Sequence, residues 1–398
     1  MIDLSLSEDQ RMLQRTARDF AERVVAPFAD RAAQRADDDP QTDAEIRAVL
    51  SEGAGLGFTA LLVPESEGGL ARPVIDLALL LEELGRADIT VAADLFNLTA
   101  TMAQLVVMAG APDQKRDLLS PLARGEPMLF SGALSEAGVA GSDLFCPEPD
   151  PAMGVKTRAR RDGRDYVLSG AKSAFVTNAG AADHYFVMAR LDPERPAAET
   201  LTIFVVPKDA AGLSFGANTR LIGWKGSRHA EVYLDDVRLP ETARLGGEGD
   251  AMRLFGSAAA MPVGLAACFV GLARAAYEDA LAYARERRSW GKPIIEHQAV
   301  ALKLADMRVR LDAARLLVWD AALACDADPM AAATLKAPAA KSAAVDAAIA
   351  NAQACVEIHG AYGVTREYRA GRYLNDAWVG YACDFTRDML RLSMTPFL

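Results

Sequence analysis

At 398 residues, 51% hydrophobic and 24% charged, the chain is long enough for two or three packed units sharing a large core. A net charge of -11, with basic residues spread along the chain, argues against a general nucleic-acid or anionic-membrane surface. The five cysteines (146, 268, 325, 355 and 383) have no CxxC spacing, which argues against a disulfide framework or a zinc site. Met1-Ile-Asp-Leu-Ser5 does not read as a signal peptide, and no uninterrupted apolar stretch reads as a membrane span, so a cytoplasmic protein is expected.

In chain order, residues 1–126 read as an N-terminal all-α domain. Leu6-Ser-Glu-Asp-Gln10 places a serine cap before acids, and Met12, Leu13, Ala17, Phe20 and Ala21 follow at helical spacing. Further helices are expected over Asp43–Leu50, Val74–Leu84, Ala92–Ala109 and Lys115–Leu122, with a turn-rich break at Pro64–Gly69. The period then changes. Met128–Leu134, Tyr166–Ser169, Tyr185–Ala189, Leu201–Val206 and Ala230–Leu234 are short β-type runs between Gly, Pro, Asp and Asn clusters. They predict a middle β domain, a sandwich or barrel, over 127–242. From 243 to 398 the sequence turns alanine-rich. Long helices over about Pro262–Arg288, His297–Ala327 and Ala332–His359, with a short last one, predict a C-terminal helical bundle. The fold class is α+β multidomain, ordered α–β–α.

The last forty-odd residues carry the chemistry. A helix ends at His359, Gly360-Ala-Tyr-Gly363 permits a turn, and a mixed run from Tyr373 to Cys383 leads to Asp384-Phe-Thr386. Asp384, flanked by Val379, Tyr381, Cys383 and Phe385, reads either as a poorly solvated base with a raised pKa or as the N-cap of the closing helix. The residues alone favour the cap. Two other segments are shaped for a ligand. Ser135-Glu-Ala-Gly-Val-Ala-Gly-Ser-Asp143 offers backbone N–H groups and hydroxyls. Glu286-Arg-Arg-Ser-Trp-Gly-Lys292 offers cations and an indole for a pyrophosphate and an aromatic ring. Taken singly, the better readings are a solvated loop for the first and a charge-complemented helix end for the second. No metal cluster, phosphate loop, Ser-His-Asp order or GxGxxG after a first strand appears, so a nucleotide would not be held in a Rossmann manner.

Taken together, these stretches resemble the acyl-CoA dehydrogenase family over residues 5–391. The resemblance is carried by Ser135-Glu136 with Gly141-Ser-Asp143, Leu168–Asn178, Gly223-Trp-Lys-Gly-Ser227 before Asp235–Pro240, Arg287–Lys292, Glu296-His-Gln298, Ile358-His-Gly360 and Gly363. It implies a helical domain, a β domain and a four-helix bundle in a homotetramer or a heterotetramer with a homologous subunit. It also implies FAD as cofactor, an acyl-CoA as substrate and an electron-transferring flavoprotein as acceptor. By position, Ser135 would bond the flavin's pyrimidine end, with Phe175 beside the ring and Thr177 near N5, and Ser142 would touch the substrate's pantetheine. Arg287, Ser289 and Trp290 would serve the adenosine diphosphate of a neighbour's FAD, Glu357, Gly360 and Ala361 its pyrophosphate, and Thr386 the cofactor near the base. Asp384 would take the α proton while the β hydride passes to flavin N5. The backbone N–H at the base position and a flavin ribose hydroxyl would hold the thioester oxygen.

The chain departs from the family pattern at the base. Asp384-Phe-Thr386 stands where glutamate, glycine and threonine are usual, which shortens the reach by roughly 1.5 Å. Misplacement on that scale can cost on the order of 100-fold in rate. The alternative base site used by some members holds Ala260. Glu357 replaces a common glutamine, Ala361 a glycine and Met261 an arginine. These departures leave two alternatives to an acyl-CoA dehydrogenase: a catalytically degenerate subunit of a heteromeric one, and a flavin oxidase or monooxygenase on the same scaffold.

Overall fold

The computed structural model describes residues 5–139 and 150–398. Seven helices form the N-terminal part: α1 (Glu8–Phe20), α2 (Ala26–Ala32), α3 (Pro40–Gly55), α4 (Val74–Ala87), α5 (Ile89–Phe96), α6 (Ala103–Ala109) and α7 (Pro112–Ala123). The expected cap is present at α1. Ser7 Oγ accepts the Gln10 backbone N–H at 3.2 Å, and Gln10 Oε1 accepts the Ser7 N–H at 3.0 Å. A π-helical turn, Asn97–Met102, joins α5 to α6 in one continuous apolar rod. This rod, Ile89–Ala109, and the later helix Ala260–Glu286 are long and apolar enough to cross a bilayer, which corrects the expectation from sequence. Because 78% of each apolar window is buried inside the protein, both serve as core helices.

The middle strands are β1 (Phe130–Ala133), β2 (Arg158–Asp162), β3 (Asp165–Thr177), β4 (His184–Arg190), β5 (Leu201–Pro207), β6 (Leu213–Phe215), β7 (His229–Leu239) and β8 (Arg244–Leu245). They make one sheet ordered β6-β7-β3-β2-β4-β5-β8, with β1 parallel to β4. Register breaks between Leu168 and Gly170 and between Lys172 and Val176 bend the long β3/β7 ladder. Strand β2, Arg-Ala-Arg-Arg-Asp, buries only Ala159, so it carries almost none of the alternation that marks a strand in sequence.

The C-terminal part comprises α8 (Ala251–Ser257), α9 (Ala260–Glu286), α10 (Gln298–Ala327), α11 (Ala337–His359), α12 (Ala370–Ala382) and α13 (Arg387–Met394). The stretch read as a mixed run from Tyr373 to Cys383 is helix α12, the fourth long helix of the bundle. Its buried face is Ala370, Tyr373, Asp376, Ala377 and Gly380, a helical spacing disguised by an aspartate and a glycine. Gly380 lies flat against the core, where an added Cβ would come 2.0 Å from the Phe269 ring.

Helices α4 and α9 cross at almost backbone contact. A Cβ on Gly271 would lie 2.3 Å from the Glu82 carbonyl oxygen, and one on Gly85 would lie 2.3 Å from that of Cys268. Beside this crossing, Glu83 accepts from Arg18 at 2.9 Å and Arg274 at 3.0 Å, while Glu82 meets Arg315 at 2.8 Å and Arg274 at 3.4 Å. Burial opposes ionisation of Glu83, but the Arg18 hydrogen bond and the Arg274 charge outweigh it and hold the carboxyl below its usual range. This crossing docks the N-terminal domain on the bundle. The sheet is tied to both. Asp94 of α5 accepts from Asn178 Nδ2 at 3.0 Å and Ser227 Oγ at 3.3 Å. Asp376 of α12 accepts the Trp224 N–H at 2.8 Å, and Trp224 Nε1 donates to the Asp376 carbonyl at 3.1 Å.

Two measurements test these junctions. Gly271→Ala forces a methyl group into the α4 backbone and is expected to cost about 1–3 kcal/mol in chemical unfolding; an unchanged midpoint would contradict the close crossing. Burial pushes the Asp94 carboxyl up from 3.8 to about 7, so in that window the folded state binds more protons than the unfolded one. The stabilisation from this proton is complete below 3.8 and lost as pH rises through about 7. Asp94→Asn is therefore expected to make stability fall less steeply with pH across this window, and equal slopes would contradict the assignment.

Candidate active site

The site begins where α12 ends. Cys383 is extended, and Asp384 (φ 44) and Phe385 (φ 70) are both left-handed, a conformation that costs non-glycine residues about 1–2 kcal/mol each. Thr386 then caps α13, its Oγ1 accepting the Met389 N–H at 3.3 Å. The capping role expected of Asp384 thus falls to Thr386, and the aspartate is released from it. Beneath the turn lies Lys341 of α11, 1% exposed. Its Nζ donates to the Cys383 carbonyl at 2.6 Å, to that of Phe385 at 3.2 Å and to that of Asp384 between them.

Asp384 opens on a cavity of about 190 Å³. The walls are mainly apolar: Phe255, Ala259, Met261, Pro262 and Leu265 on one side, Pro338, Phe385 and Met389 on the other. The aspartate is exposed along this cleft, and the shift of its carboxyl above the ordinary carboxylate range comes from the protein packed closely around it rather than from removal of its surface from solvent. The Lys341 charge pulls the other way without cancelling the shift. Burial in turn lowers Lys341, and Asp384 partly restores it. The arrangement is an ionisable carboxylate of raised basicity in an apolar slot, suited to removing a proton from carbon.

The other expected residues fall into separate groups. Ser135 sits beside β3, its Oγ 2.8 Å from Ser173 Oγ. Phe175, 64% exposed, and Thr177 are on β3 itself. Behind Thr177 stands His229, which burial pushes down to about 4 and so keeps neutral. Its Nδ1 faces the Ser227 carbonyl at 3.3 Å and must donate there, leaving Nε2 to accept the Thr177 hydroxyl proton at 3.3 Å. The Thr177 oxygen therefore keeps its lone pairs for a donor on the open side. His229 packs on Trp224 (ring centres 6.5 Å apart), which is bonded to α12, so this edge of the sheet is braced to the helix that ends at Asp384.

Arg287, Ser289 and Trp290 lie on an exposed hairpin after α9, with Trp290 95% exposed. The Arg287 guanidinium is 6.0 Å from the Tyr362 ring centre, which joins this hairpin to the turn carrying Gly360 and Ala361. Glu357, a carboxylate placed by the resemblance at the pyrophosphate, is ion-paired with Lys303 and accepts from Gln353 at 3.1 Å; the Lys303 hydrogen bond holds its carboxyl below the usual range. That pairing neutralises the charge locally. Ser142 and the rest of 140–149 lie outside the described residues.

Sequence reasoning gave no role to Lys341, His229 or the buried Glu136–Lys172 pair. Lys172 Nζ donates to Glu136 at 2.9 Å and to the carbonyls of Met188 at 2.6 Å and Leu134 at 3.1 Å, while Glu136 takes the N–H groups of Lys156 and Thr157. This pair pins the loop that carries Ser135. The signal for Lys341 was present: a lone lysine on the helix face of Ala337, Ala344 and Val345, all buried.

Family models match most of the chain: "Acyl-CoA dehydrogenase, N-terminal domain" over residues 7–126, the middle domain over 131–237 and the C-terminal domain over 250–395. The chain belongs to the acyl-CoA dehydrogenase family. A Bacillus subtilis acyl-CoA dehydrogenase is 31% identical over 99% of each chain. The structure of butyryl-CoA dehydrogenase from Megasphaera elsdenii superposes with a TM-score of 0.89 at 29% identity, over 100% of this chain and 99% of that one. A glutaryl-CoA dehydrogenase in complex with glutaryl-CoA gives 0.90 at 27%, over 99% and 96%. The protein is thus an oxidoreductase acting on the CH–CH bond of an acyl-CoA, with FAD as cofactor. The residues present fit that cofactor: Phe175 and Trp290 offer bare aromatic faces, and Gly360 (φ +60) has open space where a side chain would stand.

The turn makes one expectation measurable. Phe385→Ala and Phe385→Gly lose the same ring, so their difference reports the left-handed backbone. The glycine variant is expected to be more stable by about 1 kcal/mol in chemical unfolding; equal stabilities would contradict the conformation.

Proposed function

We propose that the protein dehydrogenates a compact, apolar acyl-CoA at its α and β carbons, with Asp384 as the base. The observation that carries this reading is the raised carboxyl of Asp384 on the wall of an otherwise apolar cavity. About 190 Å³ is small beside typical ligand pockets of roughly 300–1,000 Å³, which favours a short or compact acyl group. The one cation on the cavity wall, Lys341, is engaged by three carbonyls, so a second substrate carboxylate has no counter-charge among the described lining residues. Met261, where an arginine is common, adds to the apolar wall.

Ser135, Phe175, Thr177 and Thr386 would hold the flavin, and Arg287, Ser289, Trp290, Glu357, Gly360 and Ala361 the adenosine diphosphate part of a neighbour's cofactor. When bound, FAD supplies the electron sink that takes the β hydride at N5. Asp384 takes the α proton, and an acyl group seated against the apolar walls would displace water from around its carboxylate. The Asp384 backbone N–H would hold the thioester oxygen as negative charge grows there. Ser142 would steady the pantetheine. A homotetramer, or a heterotetramer with a homologous subunit, is consistent with the apolar stripe on α10. There Leu302, Val309, Leu316 and Leu323, each exposed, recur every seventh residue. An electron-transferring flavoprotein would reoxidise the flavin.

Anaerobic titration of the FAD-loaded protein with a panel of acyl-CoAs tests the reading. Short and branched apolar acyl-CoAs are expected to bleach the flavin, and Asp384→Asn to abolish bleaching while FAD stays bound. Full bleaching of Asp384→Asn would remove the aspartate from the mechanism. A wild-type flavin that no acyl-CoA reduces would sink the whole reading.

A further inference from the structure

We propose that Lys341 is a positioning residue for the reaction: its buried ammonium clamps the turn 383–385 in the left-handed form that points Asp384 into the cavity, and tunes the base by its charge. This rests on the reading of Asp384 as the base. The geometry is specific. One Nζ meets three consecutive carbonyls, and a group with three N–H donors can satisfy all three at once. Those carbonyls converge at the C-terminal end of α12, where a helix concentrates partial negative charge that a cation offsets. They converge because Asp384 and Phe385 are both left-handed, a combination these side chains disfavour unless the surroundings hold it. The clamp supplies that hold.

An apolar side chain of similar length would fill the same space. A buried ammonium is costly in its place, and its cost is offset here only by the carbonyls it binds and by the nearby carboxylate. The other ionisable groups around the turn do not compete for Asp384. Cys268 from α9 and Cys383 in the turn are thiols that burial pushes up, so they stay neutral. On α13, Arg387 and Arg391 are both turned to Asp346 of α11, at 3.2 and 2.7 Å, and Arg387 also meets Asp388 at 3.1 Å. Lys341 is therefore the cation that sets the electrostatic environment of the base among these groups.

Lys341→Met removes charge and donors, Lys341→Gln keeps donors without charge, and Lys341→Arg keeps the charge. In the cofactor-free protein, amide hydrogen exchange over 383–387 is expected to speed up in the methionine variant and to be partly restored by glutamine and arginine. In the FAD-loaded protein, kcat is expected to fall on the order of 100-fold in the methionine variant, with KM for the acyl-CoA changed far less. The acidic limb of its pH–rate profile should move to higher pH, because the cation that favours ionised Asp384 is gone. The glutamine variant should show the same pH shift with a smaller loss of kcat, and arginine should restore the limb; if the methionine variant does not fold, the glutamine variant carries the test. Unaltered exchange at 383–387 and an unmoved acidic limb in a folded variant would overturn the proposal. Asp384→Asn separates the two readings. If that variant is inactive while the Lys341 variants behave as wild type, the clamp alone fails; if it is active, the base assignment fails by itself.

Discussion

A single buried ammonium meeting three successive carbonyls holds the turn on which the proposed chemistry depends. Lys341 reaches from α11 to the end of α12, and the turn it gathers presents Asp384 to an apolar cavity. Without such a partner, three carbonyls beside a helix terminus and two left-handed side-chain-bearing residues would be an unfavourable combination. The same contact sets the electrostatics. Burial raises the aspartate and lowers the lysine, and each moderates the other's shift. In the proposed mechanism this leaves Asp384 basic enough to take a proton from carbon and still ionisable.

The rest of the fold keeps that turn in register with the sheet. α4 and α9 touch almost backbone to backbone at Gly85 and Gly271, with an Arg–Glu cluster alongside. α12 in turn binds the sheet through Asp376 and Trp224, and Trp224 supports His229 behind Thr177. Three domains thus converge on one helix, whose last residue precedes the turn. A small displacement of α12 would move Asp384 and the sheet edge relative to each other, so under the proposed mechanism the junctions bear on function as well as on stability.

Much of this was legible in the sequence. Ser7 and Gln10 announced α1, the alanine-rich periodicity announced α9 to α11, and the collinear motifs announced the family. Helix α12 was hidden because its buried face includes Asp376 and Gly380, whose roles depend on Trp224 and Phe269 from other parts of the chain. Strand β2 was hidden because its flanking arginines face solvent. The cap reading of Asp384 was reasonable locally and lost to Thr386, because the backbone turns left-handed two residues before α13 begins. Glu357 looked misplaced beside a pyrophosphate only because Lys303, fifty-odd residues earlier, could not be set against it from sequence. The misses at α12 and Glu357 come from long-range partners, which no local pattern encodes, and those at β2 and Asp384 from an exposed strand and a backbone turn that side-chain pattern does not report.

The central claim is that Asp384 removes a proton from the carbon next to the thioester. It is tested most directly by separating that step from oxidation, using 3,3-dimethylbutyryl-CoA, which has α hydrogens but no β hydrogen. Incubated in D2O with the FAD-loaded protein and followed by NMR, its α protons are expected to exchange with wild type and not with Asp384→Asn. Exchange that persists in the asparagine variant, or fails in the wild type while other acyl-CoAs reduce the flavin, would contradict the account.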